Sequence, residues 1–291
     1  MSAAPISATA IAEHALPVAA TDGHRWTLLA RIPAAPRQAL LWLPALGVAA
    51  RHYLPFAEAL AAYGVAVFLH EWRGNGSSAL RPSRQCDWGY RALLQLDLPA
   101  SQAAIAAAGI APPLLVGGHS LGGQLACCYA SLQPQAFAAL WLVASGTPYW
   151  RRFPAPRGYL LPLAYRLLPW LAQRQGVLHG RRLGFGGTEA RGLIADWARV
   201  GRSGRYAATG LATDLEARLA QLALPVRGVV LQDDWLAPES SLRGLLDKLA
   251  APAPQMQIRS LDAAQLGVAA DHFAWMKRPT AVAAALLAEG R

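Results

Sequence analysis

The chain predicts an α/β protein, a mostly parallel sheet with helices on both faces. Two observations carry this. Short apolar runs alternate with helix-spaced segments in both halves of the chain. The stretch from Leu98 to Trp150 also contains no Asp, Glu, Lys or Arg. Parallel strands are buried on both faces and read as such uncharged runs. Pro99, Pro112, Pro113 and several glycines cut this stretch into pieces shorter than the ~20 apolar residues of a spanning helix. No transmembrane segment is expected.

In order, Ala15 to Ile32 is expected to form a hairpin around the two-residue turn Asp22-Gly23. Ala39 to Leu43 reads as a strand, Tyr53 to Tyr63 as a helix stopped by Gly64, and Val65 to His70 as a strand. A turn-rich loop, Trp72 to Trp88, leads to a helix over Tyr90 to Ala108 that Pro99 kinks or divides. Leu114 to Gly117 is a strand, Leu121 to Leu132 a helix, and Ala136 to Val143 a strand. After an interruption come helix Leu215 to Leu222, strand Val226 to Leu231, helix Ser240 to Leu249, strand Met256 to Leu261 and helix Phe273 to Leu287. The interruption, Thr147 to Gly210, holds Tyr149, Trp150, Phe153, Tyr159, Tyr165, Trp170 and Trp197 among prolines and arginines. It is expected to be a mainly helical lid inserted into a single domain spanning 1–291, a length that large parallel-sheet folds reach.

Hydrophobic residues make up 54% of the chain and charged residues 15%, a composition that buries a large core and excludes general disorder. The net charge is +10, and only Lys248 and Lys277 are lysines, so the excess is arginine. With no nucleic-acid motif beside it, this charge reads as a solvated surface, and no nucleic-acid partner is expected. Cys86, Cys127 and Cys128 match neither a disulfide framework nor a zinc spacing, which favours a reducing, cytoplasmic setting and no metal. The N-terminus lacks a basic region before an apolar run, so no secretory leader is expected. Nothing in the sequence sets an oligomeric state.

The strongest motif is Leu114-Leu115-Val116-Gly117-Gly118-His119-Ser120-Leu121-Gly122-Gly123. It contains a G-x-S-x-G match preceded by strand-like and followed by helix-like residues, the context in which the serine is a nucleophile on a strained turn. Small residues on both sides let the chain turn without a clash. The hydroxyl of Ser120 then projects above the sheet at the positive end of a helix. Acyl transfer also requires two N–H groups aimed at the oxyanion. One is expected from Leu121. The other is expected from the loop Leu43 to Val48, where it is assigned to Leu46.

A serine hydroxyl needs a base, and histidine titrates in the useful range. In proteins built on this motif an acid and then a histidine follow the serine along the chain. Of seven histidines only His179 and His272 follow Ser120, and His179 precedes the later strands that supply an acid. His272 is the expected base. The acid should end the strand Val226 to Leu231, where Asp233 and Asp234 are both able to face the site, because adjacent side chains point opposite ways.

With these pieces in view, the chain resembles bacterial α/β-hydrolases of the subgroup described as predicted hydrolases or serine aminopeptidase-like. The resemblance rests on Pro44-Ala45-Leu46-Gly47-Val48, Trp72 to Ser77, Gly118 to Gly123, Asp233 to Pro238 and Asp271-His272-Phe273, and covers the chain from about residue 40 onward. It implies the α/β-hydrolase fold and, through the spacing of Asp234 to Pro238, Asp234 as the acid. Two positions depart from the pattern. Glu71 stands where relatives have Asp, and Asp271 stands where a glycine precedes the histidine. The expected function is hydrolysis of an ester-like bond in a small acyl substrate by Ser120, His272 and Asp234, without a cofactor. The alternatives are a peptidase or amidase with the same triad, a non-catalytic ligand-binding protein on this fold, and a surface protein that uses its positive charge on nucleic acid or membrane.

Overall fold

The computed structural model describes residues 10–110 and 113–288. β1 (Ile11–Ala19) and β2 (Arg25–Pro33) pair antiparallel as the expected hairpin. Its loop has three residues rather than two. Ala20 N–H donates to His24 O at 2.8 Å, leaving Thr21, Asp22 and Gly23 at the tip, with Gly23 at φ +86°. A left-handed last residue is what closes a loop of that length.

β3 (Gln38–Leu43), α1 (Leu54–Ala61) and β4 (Val65–Leu69) follow. α2 (Tyr90–Ala92) runs through a π-turn at Leu93–Asp97 into α3 (Leu98–Ala107). The irregular turn lies just ahead of Pro99, whose missing N–H breaks the regular ladder. β5 (Leu114–His119), α4 (Leu121–Leu132) and β6 (Leu140–Val143) end the first half. β6 starts later than its apolar run implies, because residues 136–139 after the turn at Pro134 are irregular, although Ala138 N–H already donates to Leu114 O of β5 at 2.8 Å.

α5 (Arg157–Gln175), the short pair β7 (Leu178–His179) and β8 (Thr188–Glu189), and α6 (Arg191–Ser203) come next and add nothing to the main sheet. The chain then forms α7 (Leu215–Leu219), β9 (Val226–Leu231), α8 (Glu239–Leu246), β10 (Met256–Leu261), α9 (Ala263–Leu266) and α10 (Thr280–Leu287). The expected helix from Phe273 is in fact divided. A 3-10 turn at Ala274–Lys277 is separated from α10 by Arg278, at φ −137° and ψ 70°. Pro279 drives the residue before it out of the helical region.

The eight strands lie in the order β1-β2-β4-β3-β5-β6-β9-β10, parallel from β4 onward. Strand faces alternate: Leu41 and Leu43 pack into the cluster that holds Leu125 of α4, while Leu40 and Trp42 pack with Phe56 of α1 and Val282 of α10. Helices thus cover both faces. The strand order reverses between β3 and β5. Open parallel sheets place their sites at the carboxyl ends of strands at such a switch point. No helix among the described residues is long and apolar enough to cross a membrane.

Candidate active site

Ser120 stands between β5 and α4 at φ 55° and ψ −120°, a conformation rare for a residue with a side chain. The glycines around it are sterically required. A Cβ on Gly118 would lie 2.4 Å from Gly122 C, and one on Gly122 would lie 2.0 Å from Leu43 O. Ser120 N–H donates to Val143 O at 3.2 Å, and Ser120 O accepts the Ser145 hydroxyl at 2.7 Å. The strained turn is held from both ends.

The loop after β9 delivers Asp234. Its Oδ2 lies 2.7 Å from His272 Nδ1, and its Oδ1 accepts the N–H groups of Leu236 and Ala237 at 2.8 and 3.1 Å. The carboxylate is buried and both oxygens are engaged, whereas Asp233 is exposed. Asp271 Oδ1 accepts the N–H groups of Phe273 and Ala274 at 2.9 and 2.7 Å. This caps the turn that carries His272. Since Nδ1 is committed to Asp234, Nε2 is the ring nitrogen left for chemistry. Ser120 and His272 line one cavity without a hydrogen bond between them. Such bonds often tighten only with substrate in place.

The cavity has a volume of about 180 Å³ and also takes its lining from Leu46 and Leu121. Leu121 is the first residue of α4, so its N–H has no acceptor within the helix. Gly47, beside Leu46, adopts φ +73°, and a Cβ there would lie 2.1 Å from Gly187 N. From the segment 147–210 come Phe153, Leu161, Tyr165, Leu168, Phe185 and Trp197. Tyr165 is fixed by donating its hydroxyl hydrogen to Pro148 O at 2.6 Å. Tyr159 and Trp170 do not share this role and stand 72% and 53% exposed. No Asp, Glu, Lys or Arg lines the cavity among the described residues.

The motif at Trp72 supports the loop that carries Leu46. Trp72 Nε1–H donates to Pro44 O at 2.7 Å, and Arg73 makes two 2.7 Å bonds to the buried Asp97. Glu71, one of the departures from the family pattern, accepts the N–H groups of Ala50 and Ser77 at 3.0 and 3.1 Å. Its burial pushes the carboxyl above its ordinary range. The longer side chain ties the 3-10 turn Ala50–Tyr53, just ahead of α1, to the turn after β4.

Two residues of the site escaped sequence reasoning. His119 is the variable position of the serine motif, and Tyr53 lies 66 residues away. Tyr53 Oη accepts Ala45 N–H at 2.9 Å and shares a 2.8 Å hydrogen bond with His119 Nδ1. The His119 ring packs 4.7 Å from that of His272. Burial, and then any positive charge on His272, hold His119 well below the usual histidine range, so it stays neutral. Outside this cavity, Glu189 is another buried group without a signal in the sequence. It accepts Gly187 N–H at 2.6 Å, and burial raises its carboxyl to about 7. Among the described residues, no group of three His, Cys, Asp or Glu side chains is placed to hold a metal ion.

A parallel sheet carrying a strained strand–turn–helix serine at its switch point defines the α/β-hydrolase class. The chain belongs to the serine aminopeptidase, S33, family, whose model matches residues 34–259. That span includes Ser120 and Asp234 and ends before His272. Solved structures are similar across almost the whole chain. A hydrolase from Pseudomonas aeruginosa PA01 shares 16% identity at a TM-score of 0.63, covering 97% of this chain and 98% of that one. The esterase domain of a Rhodothermus marinus protein shares 18% at 0.59, covering 94% and 93%. A thermophilic esterase from Thermogutta terrifontis shares 17% at 0.58, covering 94% and 95%. At these identities the likeness speaks for the fold. No curated protein shows significant sequence similarity to the chain.

Proposed function

We propose that the protein is a serine hydrolase that cleaves ester-like acyl bonds through an acyl-enzyme intermediate. The observation that carries the reading is the 2.7 Å bond from His272 Nδ1 to Asp234, with Ser120 on its strained turn in the same cavity. Ser120 Oγ attacks the carbonyl carbon while His272 Nε2 takes its proton. Asp234 orients the imidazole and stabilises its cationic form. The N–H groups of Leu46 and Leu121 receive the developing oxyanion. Collapse breaks the bond to the leaving group, which takes the proton from His272. Water, deprotonated by the same imidazole, then hydrolyses the acyl-serine.

The apolar lining suits an apolar acyl chain, and segment 147–210 is read as a lid over it. An aminopeptidase needs an acid for the substrate amine, and none lines this cavity. Asp233 and Asp271 face an outer groove instead, and they are the feature that favours the amidase reading. The three cysteines are free, in keeping with a reducing cytoplasmic setting. A fluorophosphonate probe should label the wild type stoichiometrically and leave Ser120→Ala unlabelled. Medium-chain esters should turn over faster than aminoacyl amides. Equal labelling of both proteins would remove the nucleophile assignment, and preference for amides would favour the peptidase.

A further inference from the structure

α5 turns one face to the cavity, through Leu161, Tyr165 and Leu168, and the opposite face to solvent. The outward face is not polar. Tyr159, Leu160, Leu163, Leu167 and Trp170 are 72%, 66%, 65%, 46% and 53% exposed. At 100° per residue they fall within one arc, about 16 Å long at 1.5 Å rise per residue. Single exposed leucines are ordinary, but a contiguous apolar stripe of this size marks a contact surface.

The charge on the segment that carries the stripe is of one sign. Residues 151–188 contain seven arginines and no Asp, Glu or Lys. Arg174 lies on the exposed arc itself and Arg166 at its edge. Of the seven, Arg152 alone makes an ion pair among the described residues, to Asp247 at 2.9 Å. The tryptophans near the stripe carry guanidinium groups: Arg174 over Trp170 at 5.3 Å, Arg151 over Trp150 at 5.0 Å, and Arg157 over Trp235 at 5.4 Å. Trp235 lines the cavity, so the start of α5, at Arg157, adjoins its mouth.

We propose that the outer face of α5 docks on an anionic lipid surface, its leucines and aromatic rings entering the headgroup boundary and its arginines pairing with lipid phosphates. Helix surfaces that present Trp and Leu with Arg beside them sit in a bilayer interface in this way. The charge pattern favours lipid over a second copy of the chain. A twofold contact through this face would set arginines against arginines with no acid on the segment to pair with them. The apolar centre of the stripe distinguishes it from a nucleic-acid surface, where phosphate contacts dominate. Docking of this kind stands whether or not Ser120 is a nucleophile.

The test is co-sedimentation of the purified protein with vesicles of phosphatidylcholine alone or mixed with phosphatidylglycerol, at low and high salt. The protein should pellet with the anionic vesicles at low salt and be released by salt, and lipids brominated in the upper acyl chain should quench its tryptophan fluorescence more than that of Trp170→Phe. Arg166→Gln with Arg174→Gln should lower partitioning roughly fivefold for each arginine. Leu163→Ser with Leu167→Ser should lower it about tenfold or more. All four positions are exposed and outside the cavity, so both variants should keep the wild-type circular dichroism and probe labelling. Wild type left in the supernatant with anionic vesicles at low salt would overturn the proposal. So would a leucine variant that binds as tightly as wild type. A wild-type dimer in sedimentation velocity, dissociated by the leucine variant, would assign the face to a second copy instead.

Discussion

Tyr53 Oη lies 2.8 Å from His119 Nδ1, and on its other side it accepts Ala45 N–H at 2.9 Å. One buried phenol thereby joins the residue before Ser120 to the residue before Leu46. Burial raises the pKa of this phenol and keeps it neutral. Tyr53 is a positioning residue on this reading, setting the nucleophile turn and the oxyanion loop relative to each other.

Tyr53→Phe should keep the fold and strand the Ala45 N–H. Leaving a buried donor unpaired costs about 1–3 kcal/mol, readable in urea denaturation. Turnover should fall about tenfold with KM little changed, short of the roughly 10²–10³-fold loss that follows removal of an oxyanion donor. Lower stability with unaltered kcat would make Tyr53 a packing residue only.

The two adjacent aspartates should separate sharply. Asp234→Asn replaces the partner of His272 Nδ1 and presents the wrong tautomer to Ser120, which in a serine protease lowers turnover about 10⁴-fold. Asp233→Asn changes an exposed side chain and should alter single-turnover rates by less than about twofold, in keeping with a surface change worth about 0.5 kcal/mol or less. Collapse of Asp233→Asn beside a near-normal Asp234→Asn would reverse the assignment.

Glu189 should make stability depend on pH. Its carboxyl rises from an ordinary 4.5 to about 7 in the folded chain through burial. Between those values the folded state holds a proton that the unfolded state has released, so stability falls as pH rises from about 4.5 to about 7. The cost is fully present above that window and amounts to about 3 kcal/mol. Glu189→Gln retains an acceptor for Gly187 N–H and removes the titration. It should match wild type near pH 4 and exceed it in urea denaturation at pH 8. A difference between the two proteins that does not vary with pH would refute the assignment.

The sequence alone determined the features that are local. Strand, glycines, serine and helix of the turn at Ser120 are consecutive, and their geometry follows from which residues lack a Cβ. The break at Pro279 is local too, yet helical spacing on both sides predicts one unbroken helix over Phe273 to Leu287. Tertiary structure decided whatever depends on direction or distance. Asp233 and Asp234 occupy equivalent places at a strand end, and the loop carrying His272 came to rest against Asp234. Tyr53 and His119 meet only because β3 and β5 are neighbours in the sheet, a pairing that no local signal encodes. The helix Arg157–Gln175 is apolar on nearly every side, so its own periodicity could not say which face covers the cavity. Packing against the cavity chose Leu161, Tyr165 and Leu168, and left Leu163, Leu167 and Trp170 to face outward.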